Sequence, residues 1–309
     1  MRRKDLLDLQ SLTAEEITYL LDTAQSFREI VTRPVKKVPT LRGKSVATLF
    51  FEPSTRTRTS FEAAAKIMSA DTYSLAGTTS SAVKGESLKD TMLTLDAMGI
   101  DAFVIRHPFS GAAHLAANYV PTKPVINAGD GTHEHPTQGL LDLLTIRQVK
   151  GRIKGLTVAI VGAILHSRVA RSNLWGLHAM GANVRLVGPP TLLPADADQL
   201  PVEVFTDLEA GLRGADVVNI LRIQLERQDG AFFPSIREYA RLFGVSKARL
   251  QAAAPDVTVL HPGPMNRGVE IASALADDDI AVITDQVTNG VAVRMAVLFW
   301  LMGATASVA

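Results

Sequence analysis

An alternation restricts the fold of this chain more than any other feature. Short apolar runs at residues 46–51, 102–106 and 125–127 are interleaved with helix-like runs at 60–68, 87–98, 112–118 and 137–149. The second half repeats the scheme. Its apolar runs fall at 156–161, 183–187, 217–221, 257–260 and 280–283, with helix-like runs at 169–180, 208–212, 236–242 and 247–253. Strands separated by helices pair in parallel, because parallel neighbours need a long crossover connection. The predicted class is α/β, with two domains, each a mainly parallel sheet flanked by helices. The polar stretch Lys150-Gly151-Arg152-Ile153-Lys154-Gly155 reads as the joint between them. Such sheets bind ligands beyond the carboxyl ends of their strands. The residues that follow each apolar run are therefore the place to look for chemistry.

Composition bounds what that chemistry can be. The 309 residues are 47% hydrophobic and 20% charged, a globular balance with room for two domains. A net charge of +1 gives no broad attraction for nucleic acid, so any positive field is local. There is no cysteine, which excludes disulfides, cysteine-ligated zinc and a cysteine nucleophile. Met1-Arg2-Arg3-Lys4-Asp5 is charged and no apolar signal core follows it, so a cytoplasmic location is expected. The apolar stretch 291–302 is shorter than a membrane span and contains Arg294. It reads as a buried helix, and no membrane partner is expected. Thr13-Ala14-Glu15-Glu16 has the form of a capping box ahead of a first amphipathic helix.

The richest strand exit is Phe50-Phe51-Glu52-Pro53-Ser54-Thr55-Arg56-Thr57-Arg58-Thr59-Ser60-Phe61. A helix start presents N–H groups without intrahelical partners and a partial positive charge, both suited to an anion. Ser54, Thr55 and Thr57 add hydroxyls and Arg56 a guanidinium, so the natural ligand is a phosphate. A single Ser or Thr there would be an ordinary N-cap. The Gly-x-x-x-x-Gly-Lys pattern is absent, which argues for a small phosphorylated molecule gripped by side chains rather than a nucleotide.

Other strand exits carry weaker signals. Arg106-His107-Pro108 ends the run at 102–106, where an arginine is equally at home as a surface residue. In Asn127-Ala128-Gly129-Asp130-Gly131-Thr132-His133-Glu134-His135-Pro136-Thr137-Gln138, a turn leads into a helix with Pro136 in its first turn. His135 and Gln138 are three apart and can face one pocket, His135 donating to a carbonyl oxygen and Gln138 accepting from an amide. Adjacent His133, Glu134 and His135 also admit a metal, although the i, i+4 histidine spacing is missing. The segment Val161-Gly162-Ala163-Ile164-Leu165-His166-Ser167-Arg168 has one glycine where a dinucleotide loop has three. Arg168 opposes the helix dipole, so it is either a tolerated surface arginine or one kept for a ligand. Arg222-Ile223-Gln224 and His261-Pro262-Gly263-Pro264 follow two further runs. A cis bond before Pro264 suits a tight turn whose carbonyls can accept from a substrate amino group. Lys84 sits in the polar segment 77–85, a candidate mobile loop, and alone it reads as a solvated charge.

Taken together, these stretches resemble the aspartate carbamoyltransferase catalytic chains. The resemblance runs nearly the full length and keeps the order of the motifs. It rests on Ser54-Thr55-Arg56-Thr57-Arg58, Lys84-Gly85-Glu86, Arg106-His107-Pro108, His135-Pro136-Thr137-Gln138, Arg222-Ile223-Gln224 and His261-Pro262-Gly263-Pro264. It implies transfer of a carbamoyl group from carbamoyl phosphate to L-aspartate, giving N-carbamoyl-L-aspartate and phosphate for pyrimidine synthesis. It implies a carbamoyl-phosphate-binding domain at 1–136, completed by 287–309 as the C-terminal helix returns to it, and an aspartate-binding domain at 150–286.

By position, Ser54, Thr55, Arg56 and Thr57 hold the phosphate. Thr57, Arg106 and His135 point at the carbonyl oxygen, and Gln138 with the Gly263 and Pro264 backbone orients the carbamoyl amide. Lys84, Arg168, Arg222 and Gln224 hold aspartate. Catalytic roles fall to Arg56, Thr57, Arg106 and His135. Ser80 and Lys84 come from a neighbouring subunit, which implies a homotrimer, with regulatory chains or a dihydroorotase as open further partners. No covalent intermediate, metal or cofactor is implied.

The related ornithine carbamoyltransferases share the phosphate turn but carry a His-Cys-Leu-Pro motif, and this chain has no cysteine. Cationic groups also suit the carboxylates of aspartate better than the cationic side chain of ornithine. Ornithine nevertheless stands as an alternative acceptor. One departure is local. Members usually carry Asp after the glycine at position 162, whereas this chain has Ala163. That carboxylate is expected to orient Gln138 or an arginine, so a second alternative is a catalytically impaired chain kept for binding or assembly.

Overall fold

The computed structural model describes residues 3–76, 85–223 and 235–303. The chain divides into two compact units. Unit 1 comprises Met1–Leu141 and Thr288–Ala309, and unit 2 comprises Asp142–Val287.

Unit 1 begins with α1 (Ala14–Thr32), whose N-terminus is the expected capping box. Thr13 Oγ1 accepts from Glu16 N and Glu16 accepts from Thr13 N. Then follow β1 (Ser45–Phe50), α2 (Thr55–Ile67), β2 (Asp71–Ala76), α3 (Leu88–Ala97), β3 (Ala102–His107), α4 (Ala112–Tyr119) and β4 (Val125–Asp130). The strands form a parallel sheet in the order β2-β1-β3-β4. β1 is buried from Val46 to Phe50 because it has a strand on each side and cover on both faces, hence an apolar run interrupted only by Thr48, whose hydroxyl donates to Ser74 Oγ. Leu49, Phe103, Ile105 and Met92 lie in the core against it.

The direction of strand addition across the sheet reverses between β1 and β3, parallel neighbours in register from Val46↔Ala102 to Phe50↔Arg106. That is the topological switch point, where a parallel sheet opens a crevice beyond its strand ends. The residues that emerge there are those after Phe50 and those at Arg106.

Unit 2 repeats the arrangement. α5 (Pro136–Lys150) carries the chain across the unit boundary. Then come β5 (Thr157–Val161), α6 (Arg168–Ala179), β6 (Asn183–Val187), β7 (Glu203–Phe205), α7 (Leu208–Leu212), β8 (Val217–Ile220), α8 (Ile236–Phe243), β9 (Thr258–Leu260) and α9 (Ser273–Ala276). Its parallel sheet runs β7-β6-β5-β8-β9, with the switch point between β5 and β8. Gly162 and Ala163 follow β5 there, and Leu221 and Arg222 follow β8; Leu221 N donates to Val161 O at 2.8 Å.

The chain ends in α10 (Ile283–Met302), which spans the second boundary. Its unit 1 part packs against α1, with Phe299 edge-to-face on Phe27 at 5.7 Å. The buried helix expected at 291–302 is thus present. Among the described residues no helix is long and apolar enough to cross a membrane.

Three expectations need correction. The run at 280–283 forms only an isolated bridge, Ala281 to Val259, and Ile283 already begins α10. A short apolar run fits a buried helix start as well as a strand. Residues 247–253 give only a 3₁₀ turn, Arg249–Ala252. β2 and β7 had no apolar run to announce them; both are edge strands of mixed polarity.

Candidate active site

The Ser54–Thr57 stretch is a helix start. Ser54 is the N-cap of α2, in non-helical geometry, and its side chain makes no capping hydrogen bond. The first turn holds no acidic residue, so the positive end of the helix is not neutralised from within. Thr57 is buried at 7% exposure, whereas Arg56 is exposed.

Two further elements converge on that turn. His135, 4% exposed, precedes α5, and its Nε2 lies 3.5 Å from Thr57 Oγ1. His135 O accepts from Gln138 N at 2.9 Å, so the first turn of α5 sets Gln138 one turn on. Arg106 leaves the end of β3. Its Nη1 donates to Ala128 O at 3.1 Å, and its Nη2 pairs with Glu52 Oε1 at 2.6 Å.

The sequence reading gave no role to Glu52, the residue that pairs with Arg106. It also left Arg294 as a buried helix residue. Arg294 Nη1 donates to Ser60 Oγ and Gly290 O, each at 2.9 Å, and its guanidinium lies over the Phe61 ring. Burial first, then the charge of Arg106, pull its pKa down to about 9. Both effects disfavour an isolated cation, and an arriving anion relieves them. Unit 1 therefore places two arginines, two hydroxyls and an imidazole around a helix start.

His133, Glu134 and His135 turn to different partners. His133 Nδ1 meets Asp130 Oδ1 at 3.0 Å, and Glu134 accepts from Leu9 N and Gln10 N. His135 faces Thr57. Three consecutive residues sent three ways do not form one metal site.

In unit 2, Arg168 is the first residue of α6 and is 3% exposed; Ser167 caps that helix by accepting from Ala170 N. Arg222 is half-buried just past β8. The Gly263–Pro264 peptide is cis. Asn266 Nδ2 donates to Ile223 O at 3.0 Å, tying the Pro264 turn to the segment that carries Arg222. Gly162 has a φ of +133°, and a Cβ there would lie 3.1 Å from Leu221 O, so the two strand exits approach closely. Ala163 is buried within the apolar core of the unit, with Tyr239 and Ile223 in the same cluster. Ser80, Lys84 and Gln224 lie outside the described residues.

Behind these exits lies a polar network that the sequence did not announce. Asp142 Oδ2 accepts from Asn173 Nδ2 at 2.7 Å and Asn219 Nδ2 at 3.3 Å, and its Oδ1 accepts from Gln286 Nε2 at 2.7 Å. Gln286 Oε1 in turn accepts from His261 N, and His261 Nε2 meets Glu270 Oε1 at 3.2 Å. All six residues are buried. The network joins α5, α6, β8, α10 and the His261 turn, which fixes the backbone ahead of Pro264. The members lie far apart in the chain, with no shared motif or spacing, a pattern that does not reveal partners.

Two family descriptions match this chain. Residues 4–148 match the aspartate/ornithine carbamoyltransferase carbamoyl-P binding domain, and residues 154–301 match the Asp/Orn binding domain. The chain is 62% identical over 306 residues to a Heliobacterium modesticaldum protein named aspartate carbamoyltransferase catalytic subunit, covering 99% of this chain and 98% of that one. It superposes with a TM-score of 0.88 on Trypanosoma cruzi aspartate transcarbamoylase in complex with N-(phosphonacetyl)-L-aspartic acid, at 30% identity over 98% of this chain and 97% of that one. It superposes with a TM-score of 0.87 on ornithine carbamoyltransferase from Pyrococcus furiosus, at 31% identity over 98% of each chain.

Proposed function

This chain belongs to the aspartate/ornithine carbamoyltransferase family, and on that premise we infer that it transfers the carbamoyl group of carbamoyl phosphate to L-aspartate. The products are N-carbamoyl-L-aspartate and phosphate. The observation that carries the reading is the meeting of Thr57 and His135, 3.5 Å apart at the start of α2, beside Arg106. Aspartate rather than ornithine is the acceptor, as in the relatives that share more than half of their residues with this chain.

In our reading Ser54, Thr55, Arg56 and Thr57 hold the phosphate, with the α2 N–H groups. The aspartate amine attacks the carbonyl carbon, the C–N bond forms, and negative charge grows on the carbonyl oxygen. Thr57, Arg106 and His135 are the donors to that oxygen. Gln138 and the Gly263–Pro264 backbone orient the amide. The C–O bond to phosphate then breaks, phosphate leaves with the electron pair, and it takes the amine proton. Arg168 and Arg222, with Gln224 and Lys84, hold the two carboxylates of aspartate, for which a guanidinium offers paired donors.

The reading extends to a cytoplasmic homotrimer in which a neighbouring subunit supplies Ser80 and Lys84. It rests on the resemblance of the Lys84-Gly85-Glu86 segment. Analytical ultracentrifugation tests it, and a monomer at assay concentration contradicts it. The activity is tested by supplying carbamoyl phosphate with aspartate or with ornithine. N-carbamoyl-L-aspartate from the first supports the assignment, and citrulline from the second alone overturns it. N-(phosphonacetyl)-L-aspartate, the ligand of the Trypanosoma cruzi relative, presents a phosphonate and both aspartate carboxylates at once and is the natural probe of the binding residues.

A further inference from the structure

Unit 1 also gathers two histidine–carboxylate pairs that the reaction does not use. His133 Nδ1 lies 3.0 Å from Asp130 Oδ1, and His114 Nε2 lies 3.4 Å from Asp8 Oδ2. The two imidazoles meet edge to face, their centroids 5.4 Å apart. One ligand atom from each of His114, Asp130 and His133 lies within 4.8 Å of the others. In a tetrahedral zinc site with bonds of about 2.1 Å, donors sit roughly 3.4 Å apart. Modest side-chain rotation closes the difference, because the side chains of His114 and His133 are both partly exposed, at 44% and 25%.

We propose that His114, Asp130 and His133 form a binding site for a divalent transition metal, with zinc the best match to two imidazoles and one carboxylate. Asp130 is the rigid member. It is fully buried, and besides His133 it accepts from Asn127 Nδ2 at 2.7 Å, Gly111 N at 2.7 Å and Glu134 N at 3.3 Å. Asp8 braces the ring of His114, as outer carboxylates brace metal-bound histidines. The local charge agrees. Asp130, Glu134 and Asp8 all favour positive charge on His133, and the same field favours a dication. The bound ion would tie together the N-terminal segment at Asp8, α4 at His114 and the turn between β4 and α5, which leads to His135.

The test uses untagged, chelator-stripped full-length protein. Zn²⁺ is titrated by calorimetry and Co²⁺ by visible absorption, beside the variants His114→Gln and His133→Gln. The proposal expects one ion per chain and the intense visible bands of low-coordinate Co²⁺. Each variant should weaken binding at least as much as loss of an outer partner, about 10–100-fold. Zinc should raise the melting temperature of the unsubstituted protein only. His114→Gln alters an exposed side chain, so its fold is secure and its result stands if His133→Gln is unstable. No saturable binding of either ion, or binding that His114→Gln leaves unchanged, overturns the site.

Discussion

Glu52 Oε1 stands 2.6 Å from Arg106 Nη2, and the two side chains are only 11% and 12% exposed. With Ala128 O on Nη1, the pair fixes the plane of the guanidinium where β1 and β3 diverge. Glu52 also removes part of the positive charge that draws a phosphate. Substitution therefore separates aim from attraction. Glu52→Gln is expected to lower kcat about tenfold or more while leaving the KM for carbamoyl phosphate unchanged or reduced, the mark of a group that acts on the transition state. Steady-state kinetics measures both. A raised KM with full kcat contradicts the positioning role.

Thr57 and His135 should behave as donors to a developing oxyanion. Loss of one such donor costs about 2.7–4 kcal/mol, or about 10²–10³ in kcat. His135→Ala and Thr57→Val are each expected in that range, with folding intact by circular dichroism. Wild-type turnover in either variant removes that residue from the catalytic set.

Asp142 has a structural claim rather than a chemical one. Its carboxylate accepts from three buried amides, those of Asn173, Asn219 and Gln286. Asp142→Ala removes the acceptor that all three amides share, although Asn173 Nδ2 still donates to Val169 O at 3.1 Å, and each buried donor left unsatisfied costs about 1–3 kcal/mol. Asp142→Asn keeps one acceptor oxygen and should cost less. Urea denaturation gives the order. Equal stability in all three proteins would show that water replaces the carboxylate.

How much of this was legible beforehand depends on what each signal is made of. Both sheets showed through because parallel strands covered on two faces are mostly apolar, as β1 and β5 are. Edge strands β2 and β7 face no such demand and left no mark. The phosphate turn was legible because hydroxyls and an arginine crowd one helix start. The Asp142 network was not. Its residues are spread from 142 to 286 with no common motif or spacing, and only the fold brings them together. Arg294 was seen but read as packing, since nothing in the C-terminal helix points to Arg106 or Ser60.

The Asp130–His133 pair makes stability depend on pH. A hydrogen bond donated to Asp130 raises the pKa of His133 above its ordinary 6.5 despite burial. Burial works against ionisation of Asp130, but hydrogen bonds from His133 and Asn127 outweigh it and hold that carboxyl below its ordinary 3.8. The histidine contribution is complete below 6.5 and fades as pH rises through the raised value. The aspartate contribution is present above 3.8 and fades as pH falls through the lowered value. Metal-free protein is therefore expected to gain stability from this pair between these limits. His133→Asn should flatten the decline in melting temperature above pH 6.5. An unchanged decline assigns it to other groups.

Ala163 bears on turnover rather than on folding. It is 4% exposed in an apolar cluster, at the position where the resemblance to carbamoyltransferases leads us to expect an aspartate. Slow turnover with intact carbamoyl phosphate binding is expected for this chain, and Ala163→Asp should raise kcat. A carboxylate in that cluster also loses hydration, so the variant should unfold at lower temperature. Equal kcat in the two proteins shows that the carboxylate is dispensable here.

The central claim is that arginines from separated stretches of the chain together bind a phosphate analogue joined to a dicarboxylic amine. Calorimetric titration with N-(phosphonacetyl)-L-aspartate tests it most directly, on the unsubstituted protein and on Arg56→Ala, Arg106→Ala, Arg168→Ala and Arg222→Ala. The account predicts saturable binding that each substitution weakens at least tenfold, about 1.4 kcal/mol. Binding of undiminished affinity in all four variants, or no binding to the unsubstituted protein, contradicts it.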